Sequence, residues 1–211
     1  MVLDLPEAYW IPPWIAISGV VSLGFLNSKK SEVSDSCAQQ LFMDLVNTRY
    51  DDCLQIFTDG SKLSDSRVGA AMYVPDFALS ASWRLGSDHS VLVAELYAVL
   101  QGLLWLVRER VRRCAVIFTY SMSALALLLS QNQKSHRRIC TKIFEAVNDL
   151  VVSGSGVFFQ WVPSHRNIPG NEHADTLARN ACFGSIIENV DLEFEDNLRR
   201  LNGKLKLDRW S

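Results

Sequence analysis

The chain has 211 residues, 48% of them hydrophobic, and a formal net charge of -2. That is enough apolar material for one core of ordinary size, and the balance of charge excludes a polycation that would hold nucleic acid by global attraction. Asp4 and Glu7 stand where a secretory signal wants basic residues. The apolar runs 15–26 and 92–107 are short for a bilayer, and the second, which carries Glu95 and Gln101, reads as a buried core helix.

Taken in chain order, residues 1–50 read as a lead-in. Prolines 6, 12 and 13 oppose a helix in PEAYWIPPW. Ser34 and Asp35 are then N-cap candidates for an amphipathic helix carrying Cys37, Leu41, Phe42, Leu45 and Val46 at helical spacing. Strands are expected at 54–59 (LQIFTD), 69–74 (GAAMYV) and 79–85 (LSASWRL), joined by hairpins at Gly60–Ser61 and Pro75–Asp76. A long helix follows over 91–108, then an apolar strand over 114–119 and a short helix over 121–130. A helix over 135–152, a strand over 157–162 and a helix over 171–182 complete the pattern. Hairpin strands first, then strands alternating with helices, predict a mixed sheet with helices on its faces. Cys37, Cys53, Cys114, Cys140 and Cys182 form no C-x-x-C pair, so no zinc site is expected. Free, mostly buried thiols and an intracellular, reducing compartment (cytoplasm or nucleus) are the expectation, with no membrane partner.

Four residues stand out for chemistry. Asp59 ends the first strand in TDGS; alone, it reads as a turn aspartate capping its own loop. Gly60 after it allows a sharp turn and the close approach of a ligand. Glu95 lies in VLVAELYAVLQGLLWL, where a charge is costly without compensation, although a first-turn glutamate also suits the helix dipole. Asp175 falls about one turn into the last helix, and His165 follows the last strand in a loop, suited to proton transfer or simply to the surface. Ligands gather at the carboxyl ends of parallel strands. If the strands that carry these residues are neighbours, three acids meet there with no matching Lys or Arg nearby in sequence. Such a cluster holds its charge near neutral pH only with bound cations, and hard oxygen ligands suit Mg2+ or Mn2+.

The motifs FTDGS (57–61), VAELYA (93–98), FTYSMSAL (118–125) and WVPSHRNIPGNEHAD (161–175) resemble, in order and spacing, the type 1 ribonuclease H family. The resemblance is closest to the domain that follows reverse transcriptase in non-LTR retrotransposon polyproteins, where a PPW-containing connector and a short helix lead into the first strand. It implies an α/β RNase H-like fold with a five-stranded sheet in order 3-2-1-4-5. It divides the chain into a connector (1–50), a catalytic domain (51–182) and a tail (183–211). It also implies a C-terminal fragment or truncated copy of a polyprotein, with reverse transcriptase as a partner.

The resemblance further implies cleavage of the RNA strand of RNA–DNA hybrids by two Mg2+ ions, with Mn2+ able to substitute. Asp59 would bridge both ions, Glu95 and Asp175 would hold one each, and His165 would help move protons and release product. The family's fourth acid belongs to an Asp-Ser pair; here Ser121 is present and Tyr120 stands for the aspartate. A neutral phenol is a poor ligand for Mg2+, so an impaired enzyme is expected. Hybrid contacts are expected at Gly60, Ser61, Ser121 and Asn171, and at Lys134, Arg137 and Arg138, which with His136 and Lys142 make a basic helix start. Arg108, Arg110, Arg112 and Arg113 read instead as a helix end complementing its dipole. The competing expectations are a non-catalytic nucleic-acid-binding relic and a protein-interaction module on the same scaffold.

Overall fold

The computed structural model of the chain describes residues 21–24, 33–130, 136–188 and 190. The elements are β1 (Val21–Ser22), α1 (Asp35–Arg49), β2 (Leu54–Lys62), β3 (Val68–Val74), β4 (Leu79–Leu85), α2 (Val91–Arg108), β5 (Ala115–Thr119), α3 (Met122–Leu129), α4 (Arg137–Val152), β6 (Val157–Trp161), α5 (Pro169–Ala181) and β7 (Ile187–Glu188). The PPW connector, Lys134, Ser135 and tail residues 191–211 lie outside the described residues.

One mixed sheet runs in the order β1-β6-β5-β2-β3-β4-β7. Its five central strands have the expected order. Parallel pairing joins β2 to β5 and β5 to β6, while β2–β3 and β3–β4 are antiparallel. The two added edge strands, β1 on β6 and β7 on β4, contain two residues each, too few to show a period in sequence. All five residues of β5 are buried, as befits a parallel strand covered on both faces.

Helix α2 starts where Ser90 Oγ accepts from Val93 N at 3.2 Å, and it is followed by Arg110 in the left-handed region (φ 53). It is apolar on nearly every side because β2 and β3 cover one side and α4 packs against it. The expectation of a buried core helix therefore has a packing reason. The opposite face of the sheet is covered by α1 and α5. Phe42 and Val46 of α1, and Tyr50 directly after it, pack with Phe57 and Phe118, and the Phe42 and Phe118 rings meet edge-on with centroids 5.1 Å apart. The lead-in helix is thus part of the packed body. Ser34 does cap it, accepting from Cys37 N at 3.3 Å.

Two expectations are corrected. First, β2 does not end at Asp59. Its parallel pairing with β5 stops at Thr58, but its antiparallel pairing with β3 continues to Lys62, and the hairpin turns over Leu63–Arg67. Second, not all thiols are free. Leu54 pairs with Ala115, which brings the preceding Cys53 and Cys114 to a Cα–Cα distance of 4.7 Å and a disulfide. Cys37, Cys140 and Cys182 are not disulfide-bonded, and the cysteine count no longer bears on the compartment.

Candidate active site

Asp59 and Glu95 form the floor of the site. Asp59 is 0% exposed on β2, and Glu95, in the first turn and a half of α2, is 2% exposed. Gly60 explains how they come so close. A Cβ there would stand 2.5 Å from Glu95 N and 2.8 Å from Ala94 C, so only glycine lets the start of α2 lie directly on β2. The expected turn and ligand approach at Gly60 are replaced by close approach of the chain's own helix.

Both Asp59 carboxylate oxygens and Glu95 Oε2 are buried without a hydrogen-bond partner. Burial is the main reason that the Asp59 carboxyl is pushed up to about 7, with the Asp175 charge adding to it. Glu95 is raised well above the usual range, first by burial and then by the charge of Asp59. A buried pair of this kind binds protons near neutral pH or requires a cation.

Tyr120, just past the end of β5, reaches this pair. Its backbone is fixed where Trp161 Nε1 donates to Tyr120 O at 3.0 Å, and its hydroxyl donates to Gly60 O at 3.1 Å. The phenol is near enough to both carboxyls to counter part of their upward shift. It has one proton, however, and with the Gly60 carbonyl also within reach it cannot satisfy both Asp59 oxygens and Glu95 Oε2. Burial, followed by the charges of Glu95 and Asp59, raises the phenol's own pKa and keeps it neutral.

The rim of the site is a second group. One ligand atom from each of His165, Glu172 and Asp175 lies within 4.8 Å of the others. Glu172 carries no signal of its own in the sequence, although its i, i+3 relation to Asp175 places both on one face of α5. Asp175 links rim to floor, since its charge raises both buried carboxyls. The expectation of no matching cation is corrected: Arg179, one turn later, donates from Nε to Asp175 Oδ1 at 3.0 Å and lowers the Asp59 pKa slightly.

The expected hybrid contacts divide. Ser121 Oγ accepts from Ala124 N at 3.3 Å and caps α3, and Asn171 is 2% exposed, so neither presents an open surface group. Ser61 is partly exposed. Arg137, Arg138 and Lys142 lie in the first turns of α4, where their charge opposes the helix dipole rather than complementing it. Among the other arginines, Arg113 pairs with Asp76, and Arg108 with Glu109 at 3.0 Å.

The unpartnered oxygens at the floor fit a hard divalent cation; the phenol of Tyr120 adds no charge to that donor set. Residues 51–183 match the family model RNase H. The match holds the central strands, the buried acids and the rim group, so the chain belongs to the RNase H family, which points to RNA–DNA hybrids as substrate and to divalent metals as cofactors.

Proposed function

We propose that this chain is an endonuclease domain for the RNA strand of RNA–DNA hybrids, built to hold two divalent ions, and that Tyr120 leaves it impaired. The observation that carries this reading is the Tyr120 hydroxyl directed at Gly60 O beside the partnerless oxygens of Asp59 and Glu95. Asp59 and Glu95 would hold Mg2+ or Mn2+ from the floor and Asp175 from the rim. The chemistry such ions supply is activation of a water and stabilisation of the leaving 3′ oxygen, yielding a 5′-phosphate. Asp59 and Glu95 must shed their protons to bind, so their raised pKa values set the pH at which the site can load. His165, exposed beside Asp175, would help move protons from the attacking water and to the leaving oxygen, and help release product. Arg137, Arg138 and Lys142 would position the hybrid by its phosphates.

The decisive experiment is hybrid cleavage in Mg2+ and in Mn2+ by the unmodified protein and by Tyr120→Asp. Weak or absent cleavage that rises at least about tenfold with the aspartate supports the proposal, because losing even a group that only supports a metal ligand costs about 10–100-fold. No cleavage by either protein sinks it.

A second reading, a non-catalytic nucleic-acid-binding relic, is favoured by Arg179, which already occupies Asp175. It predicts salt-sensitive hybrid binding without cleavage by either protein. The proposed setting is intracellular, in a non-LTR retrotransposon polyprotein with a reverse transcriptase upstream. The helix α1 packed ahead of the TDGS strand is consistent with such a connector.

A further inference from the structure

The loop carrying His165 is held from outside the matched family region. Asp35, the first residue of α1, accepts from Arg166 Nη1 at 3.1 Å through Oδ1 and from Asn167 Nδ2 at 2.9 Å through Oδ2. One turn later, Gln39 Nε2 donates to Asn167 O at 2.6 Å. These contacts grip the two residues that follow His165. The family match begins at residue 51, so none of the gripping residues belongs to it.

We infer that Asp35 is a positioning residue for His165, and that α1 serves as a clamp on the loop between β6 and α5. The inference rests on the proposed role of His165 in proton transfer. The carboxylate of Asp35 is available for this because Ser34 already caps α1. The helix is a firm base: Phe42, Val46 and Tyr50 are packed on the sheet, and Tyr50 Oη donates to Gln160 Oε1 at 2.9 Å on β6, the strand that leads into the loop. His165 and Asn167 are both left-handed, with φ 54 each, a backbone shape that persists where neighbouring contacts hold it. The conformation of this loop sets how far the imidazole lies from Glu172 and Asp175.

Arg166 is mostly buried, with a side chain 19% exposed, whereas Asp35 is 46% exposed. Removing the carboxylate therefore takes away two of the loop's contacts with α1 without opening a core cavity. A small displacement of a proton-carrying group is costly to a reaction.

The test uses the full chain with histidine ring labels and two variants, Asp35→Ala and the milder Asp35→Asn. In Asp35→Ala, the His165 ring signal is expected to move, and the Arg166 and Asn167 amides to exchange at least about tenfold faster. The His89 and His173 signals stay in place, and Asp35→Asn gives a smaller change of the same kind. In a Tyr120→Asp background, Asp35→Ala is expected to lower kcat about tenfold with KM little changed, and to have no further effect once His165→Ala is present. An unmoved His165 signal overturns the inference. So does a kcat loss that survives His165→Ala, or an unchanged kcat in an active background. If the Tyr120→Asp protein does not cleave hybrid at all, the enzymatic reading fails, and the ring signal and amide exchange still decide whether Asp35 holds the loop.

Discussion

Tyr120 and Gly60 face each other across β5 and β2, and the tyrosine hydroxyl donates to the glycine carbonyl at 3.1 Å. The contact sets a neutral group beside the Asp59–Glu95 pair, with a single proton to share between Gly60 O and the carboxyls. Tyr120→Phe keeps the ring and removes the hydroxyl. Hybrid cleavage is expected to stay low, and the Asp59 pKa to rise further, because the hydroxyl counters part of the effect of burial. Carboxyl titration followed by NMR measures that rise, and an unchanged Asp59 pKa would contradict the placement of the phenol.

The pH dependence of stability follows from the direction in which Asp59 is moved. The folded carboxyl titrates at about 7 against 3.8 for an unperturbed aspartate, so the native state binds the proton more tightly than the unfolded chain. Its contribution is fully present below pH ~4 and is lost as pH rises toward ~7, at about 1.4 kcal/mol for each pH unit crossed. In chelator, thermal stability is expected to fall across that window. Asp59→Asn should flatten the curve and, at pH 8, melt at least about 5 °C above the unmodified protein. Equal pH slopes for the two proteins would remove the electrostatic basis of the site.

Divalent ions should reverse the same penalty. Ligands that bind only the native state raise Tm, by about 2.7 kcal/mol of stability at a hundredfold excess over Kd. Mn2+ is expected to raise Tm at pH 8 and much less at pH 5.5, where protons compete for Asp59 and Glu95. The rise should be larger in Tyr120→Asp and lost in Asp59→Asn. A Mn2+ effect that persists in Asp59→Asn would place the ion elsewhere.

Gly60 offers a steric test of how the acids meet. An added methyl at 2.5 Å from Glu95 N and 2.8 Å from Ala94 C presses on helix backbone that has no rotamer to yield. Gly60→Ala is expected to cost about 1–3 kcal/mol and to weaken Mn2+ binding, because α2 carries Glu95 away from Asp59. Denaturant unfolding and the Mn2+-dependent Tm together check this; a neutral substitution would mean that α2 does not rest on β2 as described.

Much of the architecture can be read locally. Ser34 announces a helix start by cap chemistry, and Gly69–Val74 and Leu79–Leu85 announce a hairpin by composition, because each signal spans only a few residues. Glu95 is legible singly as a carboxylate in an apolar setting, whereas Asp59 and Asp175 stand out only when the three acids are taken together. Glu172, Arg179 and the loop contacts of Asp35 are not legible, since solvent-facing charges on a helix look alike until a neighbour is known.

From the linear chain alone came the order of strands and helices and the mixed sheet, while the reading of Tyr120 as a replaced acid came from the resemblance to ribonuclease H. These rest on periodicity, caps and motif spacing within short windows. Folding supplied the Cys53–Cys114 bond, the docking of α1, the helix pressed onto Gly60 and the contact of the Tyr120 hydroxyl with Gly60 O. Each of these joins groups tens of residues apart, and strand register and packing fix such meetings without leaving any local pattern to read.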